Sequence, residues 1–296
     1  MIEKVYVHSG MFHADDVAVV ALMQILNPAV EWERVNVAPS VCGQDELVAD
    51  IGGGKYDHHQ DDTPIRKDGF KHSAASLVWE EYGPEIVRTV SAIHHFPDSE
   101  VEAIVARFDA MVLRSIVAID NGYELSATDY ENQVLGGNDV FSLSTMVSQF
   151  NPNWDCSLPA DVMFTLAVKF VNGIFRRTLE RLVSTSAASQ QVQEFLNQAE
   201  DRRLLVMKRF LPWQSTVIKN SPETVMVIFP SARGGYNLQL VPEKLGDRKT
   251  KMRFPKKWME GDKPEGMTFI HKAGFMAAFD SEDNAIKAAK SLLEHK

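Results

Sequence analysis

The sequence predicts an α/β protein, with an N-terminal domain built on a mostly parallel sheet flanked by helices and a smaller α+β domain after it. Three observations lead there. Short apolar or β-branched stretches at residues 4–7, 33–37 and 47–51 are interrupted by a helical pattern over residues 17–26, which is a βαβ rhythm. Polar residues crowd just behind two of those strands, at 8–16 and 50–60, where the carboxyl ends of parallel strands gather ligands. At 296 residues, 45% of them hydrophobic, the chain has the length and apolar content for two ordinary domains.

Farther along, Val101, Ile104, Val105, Phe108, Val112, Ile116 and Ile119 recur at helical spacing. The pattern stops at Asp120-Asn121-Gly122, residue types that end helices, so Asp120 is expected near a helix terminus. A second long helix is predicted over residues 160–182. The Ser/Ala/Gln stretch at 184–191 reads as a linker or a frayed connecting helix, which separates a first domain, residues 1–185, from a linker and second domain, residues 186–296. In the second domain, strands are predicted at 216–218, 224–229 and 237–241, and a closing helix begins near Ser281 with Glu282 and Asp283 in an acidic first turn. No internal repeat at a fixed period is evident.

Composition narrows the partners. The formal charge of -9 gives no global attraction for nucleic acid or an anionic membrane, so a phosphate-bearing partner must be drawn locally. The chain opens on a strand-like segment where a leader would be basic and then apolar, and it has no run of 18 apolar residues; a cytoplasmic protein without a membrane partner is expected. Cys42 and Cys156 are far apart and form no CxxC pair, which fits a reducing compartment and leaves His, Asp and Glu as the available metal ligands.

Those ligands are clustered. Five of the nine histidines fall within the first 72 residues, and four of them stand beside carboxylates in His8-x4-His13-x-Asp15-Asp16 and Asp50-x6-Asp57-His58-His59. Any one histidine is better read as a surface or satisfied core residue, and His94-His95, before Phe96-Pro97 in a turn-like stretch, are taken as structural. Jointly the odds reverse, because each cluster follows a buried strand, and burying so many ionisable groups unpaired costs several kcal/mol per charge. Imidazole and carboxylate together suit Mn, Fe, Zn or Co, and carboxylates shared among several histidines suit two divalent ions about 4 Å apart. Such a pair activates water and clamps the oxygens of a phosphoryl ester or anhydride, with no covalent nucleophile on the protein.

The same residues carry a resemblance. Asp57-His58-His59 after Asp50, an upstream His/Asp motif and a later isolated Asp are similar to the DHH phosphoesterase superfamily of single-strand exonucleases, oligoribonucleases and family II pyrophosphatases. More narrowly, His8-Ser-Gly-Met-Phe-His13-Ala-Asp15-Asp16, Tyr56-Asp57-His58-His59-Gln60, Ser73-Ala74-Ala75-Ser76-Leu77-Val78-Trp79, Ile119-Asp120-Asn121-Gly122 and His271-Lys272-Ala273-Gly274-Phe275 resemble the melanocyte-proliferating-gene branch of metal-dependent hydrolases and RNA exonucleases. The resemblance implies a DHH-like catalytic first domain holding two divalent ions, with Mn ahead of Mg, Co or Zn. His8 and His13 would hold one ion, Asp15, His58 and Asp120 the other, and Asp50 would bridge them. His59 would face substrate, with Asp57 and Asp16 orienting imidazoles. The chain departs from the wider superfamily in two places: His13 stands where most members have Asp, at a spacing from His8 one residue longer, and no double glycine follows Phe275.

On the substrate side, seven Lys or Arg lie between Lys244 and Lys257, interleaved with Phe254 and Trp258, as in grooves that grip single strands through phosphates and stacked bases; a solvated loop is the bland alternative. Arg233-Gly234-Gly235 and His271-Lys272-Ala273-Gly274 set cations beside glycines, where backbone N–H groups can approach a phosphate, although strand turns would also explain them. In the families it resembles, such motifs close over the metals, and residues 184–191 would let the domains open and close. The expected activity is two-metal hydrolysis of phosphodiester bonds, from an end of single-stranded RNA or DNA. The alternatives are a small-substrate phosphatase acting on a dinucleotide, nucleoside bisphosphate or pyrophosphate, which does not need Phe254 or Trp258 exposed, and a metal-stabilised binding module without catalysis. Homo-oligomerisation is left open.

Overall fold

The computed structural model describes residues 1–128, 134–136 and 141–294. The chain divides into two compact units, Met1–Val183 and Ser184–Lys296.

In the first unit β1 (Lys4–His8) lies between β2 (Glu31–Val35) and β3 (Glu46–Val48), parallel to both. Val5 and Val7 alternate inward along β1, and the strand ends on His8. The connecting helix α1 (Ala14–Leu26) starts three residues earlier than its apolar pattern suggests, because Asp16 reaches back to accept the His13 N–H at 2.9 Å and caps it. All but one of its residues are buried, so α1 is the helix around which this unit packs. β3 is shorter than expected: Asp50, at φ 59°, turns the chain out of the strand.

Helix α2 (Ala74–Val90) packs on α1, and α3 (Asp98–Phe108) passes through one π-helical turn, Asp109–Leu113, into α4 (Arg114–Asp120). Asp120 is the last residue of α4, with Asn121 as its cap and Gly122 at φ 79°, as the sequence predicts. A short pair, β4 (Ser126–Thr128) and β5 (Val134–Gly136), precedes α5 (Leu143–Ser148).

Helix α6 (Ala160–Gln198) runs on through 184–191, where a linker was one expectation. The stretch stays helical because it is rich in alanine and glutamine, and because Ala188, Val192 and Leu196 belong to a core of the second unit. That unit carries a five-stranded mixed sheet, ordered β6 (Leu204–Val206), β7 (Met226–Pro230), β8 (Tyr236–Leu240), β10 (Met276–Phe279), β9 (Met267–Ile270), with α7 (Gln214–Asn220), α8 (Lys256–Glu260) and the closing helix α9 (Glu282–Glu294). The strand predicted at 216–218 is part of helix α7, where Thr216 and Val217 are buried; so short a β-branched run carries no distinguishing period.

Gly235 is required at the start of β8. Its φ is +66°, and a Cβ there would meet the Phe279 carbonyl oxygen at 2.1 Å. A Gly235→Ala variant is expected to lose on the order of 3 kcal/mol, from left-handed strain plus overpacking, measured by urea denaturation; a loss near zero would contradict this packing. Among the described residues no helix is long and apolar enough to cross a membrane.

Candidate metal centre

The site forms at the carboxyl ends of two adjacent parallel strands. His8 closes β1, and Asp50 follows β3 after Ala49. Asp50 is the one described non-glycine residue with positive φ, a conformation that aspartate tolerates better than most and that tends to be kept where function needs it. Its Oδ2 lies 3.3 Å from His8 Nε2 and its Oδ1 lies 3.1 Å from His58 Nε2, so one carboxylate spans the two imidazoles. His58 Nε2 is also 3.1 Å from Asp120 Oδ2 and 3.9 Å from Asp15 Oδ2, while His8 Nε2 is 3.3 Å from Asp16 Oδ2. Asp15, Asp50, His58 and Asp120 therefore converge from four separate places in the chain.

Three donor groups have ligand atoms mutually within 4.8 Å: His8/Asp16/Asp50, Asp15/His58/Asp120 and Asp50/His58/His59. The second is the trio expected from the resemblance. In the first, Asp16 stands where His13 was expected; His13 belongs to none of the three, and its ring lies 5.8 Å from that of His8 on the wall of the same cavity. His94 stacks on Phe96 and joins no donor group among the described residues.

Neighbouring chain sets the orientation of each ligand. His8 Nδ1 sits 2.8 Å from the Ser9 carbonyl, which leaves Nε2 turned to the carboxylates. The segment between His8 and His13 is pinned by Asn151, whose side chain bonds both the N–H (3.0 Å) and the carbonyl (2.8 Å) of Phe12, and by Arg34, whose enclosed side chain bonds Gly10 O and Asp161 and lies over the rings of Phe12 and Phe164. Asp15 lies on the N-terminus of α2, accepting from Ser73 Oγ, Ala74 N and Ala75 N. Asp57 Oδ1 holds His59 Nδ1 at 2.7 Å and Oδ2 accepts from Gly53 N, leaving His59 Nε2 as that ring's free nitrogen. Sequence reasoning missed Arg34 and Asn151, which sit outside any motif. Ser73 and Asn121 stood inside recognised motifs without a role.

Electrostatics shows what the cluster lacks. Burial pushes the Asp16 carboxyl up to about 8, and burial with the neighbouring Asp15 charge does the same to Asp120. The Asp50 carboxylate raises His8 to about 9 despite burial; burial opposes charge on His58 too, but Asp50, Asp15 and Asp120 lift it to about 9. Asp50 itself is buried, yet the two imidazoles hold it down at about 2. Asp16 Oδ2, Asp50 Oδ1 and Asp120 Oδ2 are buried without a hydrogen-bond partner of acceptable geometry, which native proteins seldom leave unexplained. Divalent cations coordinated by nitrogen and oxygen would satisfy all three, so the donor set fits a metal.

A pH dependence follows. Carboxyls raised in the fold (Asp16, Asp120) bind more protons folded than unfolded, and their contribution is lost as pH rises from about 4 to 8; raised histidines (His8, His58) lose theirs between about 6.5 and 9. Both have the same sign. Chelator-treated protein is expected to melt at progressively lower temperature from pH 6 to 9, and added Mn to flatten that slope; a metal-free melting temperature that rises across this range would contradict the charge balance described.

The second unit divides the expected substrate residues. Arg233, Gly234 and Gly235 form the β7–β8 turn, with Ser231 N bonded to Gly235 O, and His271, Lys272 and Gly274 form the β9–β10 turn, with His271 N bonded to Met276 O. Because β8 and β10 run antiparallel, the two turns lie at opposite ends of the sheet, separated by the length of β8, roughly 15 Å. His271 instead lines a cavity of about 410 Å³ with Arg248, Gln239, Gln214 and Phe275. Phe254 and Trp258 are not stacking platforms: they stack on each other, centroids 5.3 Å apart, inside the core. Of the cations around them, Lys251 is bound to the Pro222 and Thr224 carbonyls, Lys249 to Glu243 and Lys257 to Asp262.

The fold and this cluster define an α/β protein with a His/Asp centre suited to divalent metal at the carboxyl edge of a parallel sheet. The chain belongs to the MYG1_exonuc family, described as an uncharacterised protein family (UPF0160), whose profile it matches over residues 4–293. It is 24% identical to the MYG1 protein YER156C of Saccharomyces cerevisiae, the match covering 99% of this chain and 96% of the yeast one. It is 23% identical to the MYG1 exonuclease of Mus musculus and 22% to that of Homo sapiens, each over 99% of this chain and 85% and 86% of theirs. No solved structure matches significantly.

Proposed function

We propose that this protein is a two-metal phosphodiesterase of DHH type that removes nucleotides from an end of single-stranded RNA or DNA. One observation carries the reading: three buried carboxylate oxygens, on Asp16, Asp50 and Asp120, lack hydrogen-bond partners and face His8 and His58. His8, Asp16 and Asp50 would hold one ion, with His13 closing it from the cavity wall. Asp15, His58 and Asp120 would hold the other, and Asp50 would bridge. Two divalent ions, Mn foremost, would supply Lewis acidity to activate water and offset phosphate charge. The names of the mammalian relatives support nucleic acid as substrate.

The chain's own residues do the rest. The cavity, about 530 Å³ and lined by His8, His13, Asp50, His58, His59 and Asp120 among others, has room for a phosphodiester and its neighbouring sugar. His59, whose Nδ1–H is held by Asp57, would take a proton on its free Nε2 and, as the imidazolium, pass that Nε2 proton to the departing oxygen, returning to the Nδ1–H tautomer.

A second reading, hydrolysis of a small nucleotide such as a dinucleotide or bisphosphate, is favoured by the burial of Phe254 and Trp258, which removes the stacking surface a long strand would use. Mn-loaded protein offered end-labelled oligonucleotides of increasing length, pyrophosphate and nucleoside bisphosphates, beside a His58→Ala variant, decides between them. A ladder of mononucleotide steps supports the exonuclease. Turnover confined to dinucleotides, bisphosphates or pyrophosphate supports the second reading, and metal binding without any turnover rejects both.

A further inference from the structure

We propose that His72 is a positioning residue for the metal centre, acting through Ser76 and Ser73 on Asp15 as part of a three-residue hub, Lys71-His72-Ser73. The inference rests on the metal reading above. Each residue of the hub fixes one member of the Asp15/His58/Asp120 trio. The Lys71 carbonyl accepts from Asn121 Nδ2 at 3.1 Å, which anchors the chain immediately after Asp120. The His72 N–H donates to the Pro64 carbonyl at 3.0 Å, beside Thr63, whose hydroxyl shares its proton between the His58 (2.7 Å) and Gln60 (2.8 Å) carbonyls. Ser73 Oγ donates to Asp15 Oδ1.

The His72 ring holds the hub in place. It is buried, at 8% exposure, with Nδ1 3.0 Å from Ser76 Oγ and Nε2 3.6 Å from Glu80 Oε2. Ser76 Oγ donates to the Ser73 carbonyl at 2.9 Å and accepts the Ser73 N–H at 2.9 Å. With its one proton so used, the hydroxyl has a lone pair left for a donor, and His72 Nδ1–H supplies it. Ser73 is thereby fixed on both sides of its backbone, and its hydroxyl keeps one direction, toward Asp15. The Ser76 hydroxyl caps the start of α2 by accepting the Ser73 N–H whether or not a ring donates to it, so the variants at position 72 carry the test.

The test is metal binding rather than turnover. Full-length wild type, His72→Leu, His72→Asn and Ser76→Ala are titrated with Mn by calorimetry and with Co by visible absorption, and each is melted in chelator. His72→Leu and Ser76→Ala are expected to weaken one metal equivalent by about tenfold or more and to change the Co spectrum. His72→Asn, whose amide N–H can stand where Nδ1–H does, is expected to restore most of that affinity and the spectrum at a metal-free melting temperature like that of His72→Leu. Wild-type affinity in His72→Leu overturns the proposal whatever Ser76→Ala shows, as does equal loss in His72→Leu and His72→Asn that tracks their melting temperatures. If His72→Leu does not fold, His72→Phe, which keeps a planar ring but has no donor, takes its place beside His72→Asn. Wild type that binds neither Mn nor Co removes the metal reading itself, an outcome distinct from a failure of the hub alone.

Discussion

An Asp50→Ala variant is expected to lose metal-dependent hydrolysis by about three orders of magnitude or more, the scale of forfeiting several kcal/mol of ion-mediated stabilisation. The reason lies in its position. Asp50 offers one oxygen to the side of His8 and the other to the side of His58, and it belongs to two of the three donor groups. Removing it would disable both halves of the centre and take from His8 and His58 the carboxylate that contributes most to stabilising their charge. His13→Ala is expected to do much less, since His13 belongs to no donor group. Initial rates and Mn calorimetry on both variants check the contrast, and equal losses would mean that His13 is as central as Asp50.

The second large effect is expected at His59 and has a different signature. His59 shares a donor group with Asp50 and His58, but its Nδ1 is 2.7 Å from Asp57 and 3.7 Å from Asp50, so the nitrogen nearest the cluster is already engaged. The role proposed for it is proton transfer from its protonated ring to the leaving oxygen. His59→Ala is expected to lower kcat by roughly 10²–10³ while both metal equivalents remain and KM changes little. Asp57→Asn should reproduce part of that loss, because the amide no longer fixes the imidazole tautomer. A His59→Ala protein that drops one metal would make His59 a ligand instead.

Much of this centre was legible in the sequence because its residues lie at the ends of short, strongly patterned elements. His8 closes an alternating strand and Asp120 closes an apolar helical stripe, and both stand where the pattern puts them. That Asp16, and not His13, comes within ligand distance of His8 and Asp50 was not legible. They are three residues apart on one helix start, and only the reach of Asp16 back to the His13 N–H turns its other oxygen toward His8. Arg34 and Asn151 act across 24 and 139 residues of chain, on Gly10 and Phe12, and no local spacing announces them. In the second unit the sequence showed that cations and aromatics alternate near Trp258 but not which way the rings point, and they point into the core. Nor did it show that two glycine turns with cations beside them lie at opposite ends of one sheet. That follows from the antiparallel pairing of β8 and β10, a long-range choice.

Low-temperature EPR of the protein titrated with Mn, backed by elemental analysis, tests the central claim most directly. The expected result is two Mn per chain with the exchange-coupled spectrum of ions roughly 4 Å apart, lost in Asp50→Ala. A single uncoupled Mn at saturation, or none, would contradict it.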